Sequence, residues 1–585
     1  MNKKVIIYIV SITIMILNLI IYVNINSYID ILNRCFNQNI TISNMCYSSI
    51  CFIIALISIL IIICIKLVIY YEKDEIKGIE LKKEDGTHGT ADWMAEDDIE
   101  KILAKNDTPG IILGKRNNDI IKLPFDSYFN KNIAVFGSSG SMKTIGFLIT
   151  NLLELFKYRK SIIVTDAKGE IYRKTSQLFR NNGYIVKVFN LNNMENSDRW
   201  NPLGENEDIT DIQTSSNVII SGTQNKNGKD DFWPRAEENL LKAFEFYFAE
   251  NDLERNTLTN IYKIIANGDI ATLDTIFKRL PQESPARMSY NIFASGSDTI
   301  KASVLTGLGT RLQAFQNKKL QEITNYTDID LTLPGKKPCI YYVITSDMDS
   351  SRDFLISLFF TFLFIKLVKY ADSTENGKCK NEVFFFLDEF ANICQIPEFN
   401  KKISTVRSRG IALIPILQNI GQLNNRYPNG LADEILGNTD IKLNLGTTDI
   451  LTAKYFCDLL GVATAETQSI KKRIGIDGEL EFGQKNISTL ERNLLNADEI
   501  IRIPSTKLMV IIRGNKPLLL QKMIYTEHPI SKKLQDASVL TYIPEWNNNI
   551  VVSNDIIGRE RAKNETKEKN IRIEKESEDI TFENF

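Results

Sequence analysis

The sequence is almost without histidine: His88 and His528 are the only two in 585 residues. That argues against a metal site built from imidazoles and leaves acid–base chemistry to carboxylates, lysine and arginine. The eight cysteines are scattered and no C-x-x-C pair occurs, which speaks against a zinc ribbon or a disulfide framework. Nor is there an excess of positive charge. Lys and Arg number 70 against 72 Asp and Glu, a formal net charge of −2. A nucleic acid can therefore be held only through local basic patches. What is present, 43% hydrophobic and 24% charged residues, is the mixture of a folded globular protein. The length is too great for one core and implies a membrane part plus two or more soluble domains.

Two apolar runs stand near the start. Val5 to Val23 is broken only by Ser, Thr and Asn; Ser48 to Tyr71 carries Lys66 as its only charge. Each approaches the roughly 20 residues that cross a bilayer as a helix. The competing reading of the first run is a signal peptide. The run is long for one, and no small-residue cleavage site follows at Asn24-Ile25-Asn26, so an uncleaved anchor is expected. Lys3 and Lys4 precede the first run, and Lys66, Lys73 and Lys77 lie at or beyond the end of the second. Positive-inside bias then places both termini in the cytoplasm, with a multi-pass anchor in the cytoplasmic membrane. Cys35 and Cys46 fall in the outer loop, where they are either a pair or two free thiols.

The most informative stretch is Ile133-Ala-Val-Phe-Gly-Ser-Ser-Gly-Ser-Met-Lys-Thr144. An apolar strand enters a glycine-bearing turn, and a helix with apolar residues from Ile145 to Phe156 follows. Free N–H groups and the helix dipole converge at such a junction and make an anion site. Gly137, Ser138, Ser139, Gly140, Ser141, Met142, Lys143 and Thr144 would cradle the phosphates of ATP. Within that loop Lys143 would reach the β- and γ-phosphates, and the Thr144 hydroxyl would bind Mg²⁺. One residue departs from the pattern G-x-x-x-x-G-K-[ST]: Met142 stands where the last glycine belongs.

The second half of a nucleotide site lies far downstream. Val383-Phe-Phe-Phe-Leu387 reads as a strand buried on both faces, as in a parallel sheet. It ends in Asp388-Glu389, where ligands bind in such sheets. Asp388 suits the Mg²⁺ shell, and Glu389 suits the base that orients the attacking water. A further strand, Ile411 to Leu417, ends at Gln418, which either senses the γ-phosphate or caps the next turn. Between the two strands lie Lys401, Lys402, Arg407 and Arg409. They are candidate DNA contacts, or an arginine finger acting on a neighbouring copy.

Strand-like runs recur at 162, 184, 339–344, 441–445 and 508–512, giving with those above a parallel-dominated sheet of about eight strands. Residues 205–330 show helical apolar spacing. Leu240, Leu241, Phe244, Tyr247 and Phe248 recur on one helix face and are expected to pack a core. Residues 466–488 are polar, carry Lys471-Lys472-Arg473, and read as a mobile loop. After Trp546 the chain becomes charged and poor in apolar residues, as in a disordered tail.

The blocks resemble a known family, the TraG-type coupling proteins of conjugation and type IV secretion. His88-Gly-Thr-Ala-Asp-Trp93, Val164-Thr-Asp-Ala-Lys-Gly-Glu-Ile-Tyr172, Phe189-Asn-Leu191 and Trp200-Asn-Pro-Leu203 are similar to its ordered motifs. So are Asp231-Phe-Trp-Pro-Arg-Ala-Glu-Glu-Asn-Leu-Leu241, Leu387-Asp-Glu-Phe-Ala-Asn392, Ile403-Ser-Thr-Val-Arg-Ser-Arg-Gly410 and Gln418-Asn419. Cys394 replaces a usual glycine. The resemblance implies an α/β fold: a RecA-like P-loop NTPase domain with an all-α insert, preceded by two transmembrane helices. It implies an ATPase that delivers a relaxase-bound DNA strand to the type IV secretion channel, working as a homo-hexamer. The expected division is a membrane anchor over 1–77 (helices about 5–23 and 48–71), nucleotide-binding halves at 78–204 and 331–545, the insert at 205–330 and the tail at 546–585. The competing readings are a membrane-bound chromosome-segregation DNA translocase and a membrane scaffold whose P-loop has decayed at Met142. The polar tail leaves no room for the winged helix that the translocase would carry at its C-terminus.

Overall fold

The computed structural model describes residues 34–35, 86–224, 232–345, 350–474 and 480–547. The two expected membrane helices, Cys46, the side chains of Lys471, Lys472 and Arg473 and nearly all of the expected tail lie outside what is described.

Fourteen strands are present among these residues. They are β1 (Ala104–Lys105), β2 (Gly110–Arg116), β3 (Asp119–Pro124), β4 (Ile133–Phe136), β5 (Ser161–Thr165), β6 (Ile185–Asn190) and β7 (Cys339–Ile344). Then come β8 (Val383–Leu387), β9 (Ile411–Leu417), β10 (Ile441–Asn444), β11 (Val462–Ile474), β12 (Leu480–Asn493), β13 (Lys507–Ile512) and β14 (Leu518–Gln521). Twelve form one sheet in the order β1-β3-β2-β14-β13-β10-β4-β9-β8-β5-β7-β6. From β10 to β6 every pairing is parallel. Strands β4, β5, β7, β8 and β9 are buried along their whole length. Helices cover both faces of a parallel sheet, so such strands read as unbroken apolar runs.

The sheet is larger than the eight strands expected. β13 joins β10 antiparallel, and β14, β2, β3 and β1 extend it on that side, all antiparallel. In β2 the register shifts between Ile112 and Gly114, and both β2 and β3 carry charged residues within or at the end of the strand (Lys115, Arg116, Asp119, Lys122), so their sequence lacks a long apolar run. The helix that follows the phosphate loop holds them in place through polar groups. It starts as a π-helical turn, Thr144–Leu148, and continues as Ile149–Lys157. Thr150 Oγ1 donates to the Met523 carbonyl at 3.0 Å. Asn151 accepts from Ile112 N at 2.7 Å and donates to its carbonyl at 3.0 Å. Glu154 pairs with Lys122 at 2.6 Å and meets His528 Nε2 at 2.9 Å, all three nearly without solvent. Residues 150, 151 and 154 share one face of the helix, and that face binds the antiparallel flank.

One described helix, Asp353–Asp372, is long and apolar enough to cross a membrane. It is a core helix: Phe359 stacks on Phe189 at 5.1 Å and Phe364 on Phe385 at 4.8 Å. Between β6 and β7 the described chain is helical, from Ile209–Gly222 to Lys318–Thr324. Leu240, Leu241, Phe244 and Phe248 are buried there, with Phe277 edge-on to Phe244 and Tyr247.

Residues 466–488 are not a loop throughout. β11 and β12 pair as a two-stranded ribbon, whose middle, 465–489, belongs to a unit separate from the body formed by 83–464 and 490 onward. A ribbon satisfies its ladder with its own partner strand, so polar side chains do not prevent it, and Asp477-Gly478 between the strands is a hairpin signal.

Candidate nucleotide site

The phosphate loop begins at the carboxyl end of β4. Gly137 N donates to Leu417 O at 3.0 Å, and Ser138 N to Gly446 O at 2.9 Å, so the loop is tied to both neighbouring strands. Glycine is required at 137: a Cβ would stand 2.2 Å from Ser141 Oγ and 2.8 Å from Lys143 Cγ. Gly140 has φ 79° and Met142 has φ 66°. The second value explains why glycine belongs at that position. The loop turns through the left-handed region, where a residue with a Cβ carries strain on the order of 1–2 kcal/mol. Met142 adopts the turn nonetheless. Its carbonyl accepts from Gly146 N at 2.7 Å, and a Cβ at 146 would only touch Met142 Cβ, at 3.6 Å.

Three strand ends converge on the loop. Lys143 Nζ donates to Gly137 O at 2.7 Å and lies 3.5 Å from Glu389 Oε1. Glu389 Oε2 accepts from Gln418 Nε2 at 2.7 Å and from Asn392 Nδ2 at 3.1 Å. Gln422 Nε2 donates in turn to Gln418 Oε1 at 3.3 Å. Glu389 is itself left-handed, φ 53°, a second strained torsion a few residues along from a fully buried strand. Lys143, Glu389 and Gln418 follow β4, β8 and β9, which are adjacent parallel strands, and this is where ligands bind in open α/β sheets.

Asp388 stands beside them, its carbonyl accepting from Thr165 Oγ1 at 2.9 Å. Burial, then the neighbouring charge of Glu389, push its carboxyl up to about 7, against the pull of Lys143. Asp166, at the end of β5, is pushed up to about 6 by burial, although its oxygens accept from Glu170 N at 3.0 Å and Tyr172 N at 2.8 Å. Asp166 thus caps the following helix and adds negative potential at Asp388.

These residues fit a nucleotide triphosphate with Mg²⁺. Ser141 Oγ is buried with no hydrogen-bond partner, as is Asn444 Nδ2 at the end of β10. Two raised carboxyls stand ready for a cation, since a nearby positive charge restores the ionised form. Among the described residues no group of three or more His, Cys, Asp or Glu could hold a metal by itself. That suits Mg²⁺, which takes one or two protein ligands and the rest from phosphate and water. Thr144, opening the π-turn, and Asp388 are the candidates. Ser139 is exposed at the lip of the loop.

Arg407 and Arg409 are not part of this constellation. They precede β9, whereas Gln418 follows it, so roughly 20 Å of strand separates them from the site. Arg409 is bound to Asp372 through two hydrogen bonds, 2.7 and 3.0 Å. Arg407 is exposed and donates to the Tyr128 carbonyl at 2.7 Å. It lines a polar cavity of about 300 Å³ with Lys131 and Glu382 at the amino ends of the strands. A larger cavity, about 690 Å³, lies among the helices of the insert, lined by Ala236, Asn239, Ile292, Phe293, Ile300 and Val304 among others.

Other motif residues prove to be architectural. A Cβ on Gly89 would collide with Val462 O at 2.2 Å, so this glycine permits the Thr90–Ala463 bridge. Trp200 is fully buried edge-on to Phe189 and Phe359. One residue of the site escaped the sequence reading. Lys522, after β14, is buried and donates to the Ser141 carbonyl at 3.0 Å. Its only signal is a charge placed between the apolar strand Leu518–Leu520 and Met523.

A family described as type IV secretory system conjugative DNA transfer matches residues 92–545. Protein VirD4 of Rhizobium radiobacter is 24% identical over 473 residues, covering 76% of this chain and 65% of VirD4. Conjugal transfer protein TraG of Rhizobium radiobacter is 22% identical over 489 residues, covering 75% of this chain and 72% of TraG. The match thus spans about two thirds of the length of these relatives. Among solved structures, plasmid coupling protein TrwB in complex with the non-hydrolysable ATP analogue ADPNP has a TM-score of 0.58 at 15% identity, covering 77% of this chain and 96% of that one. TrwB in complex with ADP and Mg²⁺ has a TM-score of 0.56 at 15% identity, covering 74% and 94%. The α/β fold resembles that of TrwB, and the chain belongs to the type IV secretory system conjugative DNA transfer family.

Proposed function

We propose that this protein is a membrane-anchored ATPase that couples a relaxase-bound DNA substrate to a type IV secretion channel and energises conjugative transfer. The observation that carries the catalytic part is the convergence of Lys143, Glu389 and Gln418 from three adjacent strand ends onto a glycine-bearing phosphate loop. Loop N–H groups from Gly137 to Thr144 and the Lys143 ammonium hold the phosphates; Thr144 and Asp388 hold the cation. Bound Mg²⁺ supplies charge neutralisation at the phosphate oxygens. Gln418 and Asn392 fix the Glu389 carboxylate through Oε2; Oε1, 3.5 Å from Lys143 Nζ here, is the oxygen that would orient a water and accept its proton once Lys143 turns to the phosphates. In a homo-hexameric ring Arg407 can serve only the site of a neighbouring copy, and Arg409, committed to Asp372, is the weaker candidate.

The helices between 205 and 330, with their apolar cavity, are the surface proposed for DNA or substrate-protein contact. The proposed anchor is the pair of apolar runs before residue 77, with both termini cytoplasmic. If so, a chain lacking residues 1–77 leaves the membrane fraction on alkaline washing.

The test of the enzyme is turnover by the full-length protein with DNA and Mg²⁺. Lys143→Ala should abolish it, and Glu389→Gln should retain ATP binding while stopping hydrolysis. Normal turnover in either variant would overturn the assignment of the site, and wild-type protein that binds no ATP would leave a scaffold with a decayed loop as the better account.

A further inference from the structure

We propose that Lys522 is a positioning residue of the nucleotide site: it holds the Ser141–Met142 turn in its phosphate-cradling form and so permits a methionine where the turn calls for glycine. The inference rests on the nucleotide reading given above.

The geometry is specific to this turn. Lys522 follows β14, where its backbone N–H donates to Thr506 O at 2.8 Å, and the next carbonyl, that of Met523, is bound by Thr150 of the loop helix. The segment is therefore fixed between Thr506, just before β13, and that helix. From there the Lys522 side chain runs past Gly146. A Cβ on Gly146 would lie 3.9 Å from Lys522 Cβ and 3.6 Å from Met142 Cβ. Gly146 thus lies against both the lysine and the methionine, at ordinary contact distance from each. The ammonium ends on the Ser141 carbonyl, the peptide oxygen immediately before the left-handed residue.

A positive φ at Met142 depends on the orientation of the peptide between 141 and 142, and that peptide's oxygen is the one Lys522 holds. With the oxygen drawn toward the lysine, the N–H of the same peptide is turned to the opposite side. The bond from Gly146 N to Met142 O fixes the next peptide. Two successive peptides are thus clamped, and the strained torsion lies between them.

The Lys522 ammonium makes its side-chain hydrogen bond to the Ser141 carbonyl. No carboxylate among the described residues pairs with it, and burial lowers its pKa to about 8. A buried cation without a counter-ion is costly, and its location next to a phosphate loop gives it a natural compensating charge in the ligand.

The experiment is a double-mutant cycle on the full-length protein, read as the dissociation constant of mant-ATP with Mg²⁺. In the Met142 background, Lys522→Met should weaken binding tenfold or more. In the Met142→Gly background, where the turn no longer needs restraint, the same substitution should weaken it less than threefold. Equal losses in both backgrounds would mean that Lys522 acts only through charge or folding and would overturn the proposal, as would no loss in either. Thermal melting accompanies each variant; where Lys522→Met does not reach a folded state, the cycle is run with Lys522→Gln. Lys143→Ala separates the two layers of argument. If it binds mant-ATP as wild type does, the nucleotide reading itself fails, whereas a loss there with no coupling in the cycle removes Lys522 alone.

Discussion

The two ends of the parallel strands carry opposite chemistry on one backbone. At the carboxyl ends, local requirements go unmet. Met142 and Glu389 sit in left-handed torsions, Ser141 Oγ and Asn444 Nδ2 lack partners, and Asp166 and Asp388 are both raised. At the amino ends the same strands are saturated. Lys131 and Lys160 both bind Glu382. Burial works to raise the Glu382 pKa, yet the two lysines hold it below the ordinary carboxylate range. Arg409 is paired with Asp372 and Arg513 with Asp440. Asn132, buried between β4 and β9, donates to Ile403 O and accepts from Leu413 N. At the carboxyl ends the strained torsions of Met142 and Glu389 and the unpaired atoms of Ser141 and Asn444 lie where a ligand can compensate them. One end of the sheet stabilises the fold, and the other is kept for the nucleotide.

Arg407 is the sharpest way to break that division, because it is an amino-end residue assigned a chemical role. If it acts as a finger on a neighbouring copy, Arg407→Ala should lower turnover by about 10³-fold with little change in ATP binding. Oligomers mixed from Arg407→Ala and Glu389→Gln chains should then regain part of the activity, since some interfaces pair an intact base with an intact arginine. No activity in such mixtures, together with an unaffected rate in Arg407→Ala alone, would confine Arg407 to the saturated end and to DNA or structural contacts.

Glu382 tests the other half of the comparison. Glu382→Ala leaves Lys131 and Lys160 facing each other without a counter-charge and should cost about 2 kcal/mol of stability, as expected for lost charge-assisted hydrogen bonds. Turnover per folded molecule should not change. A kinetic defect without a drop in melting temperature would show that the amino end is coupled to the site and that the division is false.

The division was only partly legible beforehand. β8 and β9 announce themselves, because a strand buried on both faces must be apolar throughout and the first polar residue marks its end: Asp388 in one case, Gln418 in the other. The same logic, applied to direction, separates Arg407 and Arg409 from the site, since both precede β9. The antiparallel flank was illegible for the converse reason. β2 and β3 mix apolar with charged residues, β2 shifts register at Gly114, and the flank is secured by Thr150, Asn151 and Glu154, whose polarity gives no hint of burial. Met142 could be recognised as irregular, but not its torsion. The role of Lys522 depends on a contact across 381 residues of sequence, which no local pattern encodes.

The smallest expected effect concerns Asp388 and its pH dependence. Burial and the charge of Glu389 push its carboxyl up to about 7 in the folded chain, from an ordinary value of 3.8. A carboxyl so raised contributes stability that is complete below about pH 4 and is lost as the pH rises through 7. The protein therefore carries an ionised, poorly solvated Asp388 at pH 8, opposed by Glu389 and Asp166. Asp388→Asn keeps the shape and removes the charge. At pH 4 and below, where Asp388 is protonated in the folded chain and largely so in the unfolded one, the variant and the wild type should melt nearly together, and the gap should open between pH 4 and pH 7. At pH 8 the variant should melt higher, by on the order of 2 °C. Asp166 is present in both proteins, so its own titration largely cancels from the difference. Saturating Mg²⁺ and ATP should reverse the order at pH 8, because a cation at Asp388 favours the carboxylate and the variant cannot supply one. A melting difference that is flat between pH 4 and pH 8, or that ignores Mg²⁺-ATP, would mean that Asp388 is an ordinary strand-end carboxylate and would remove it from the cation site.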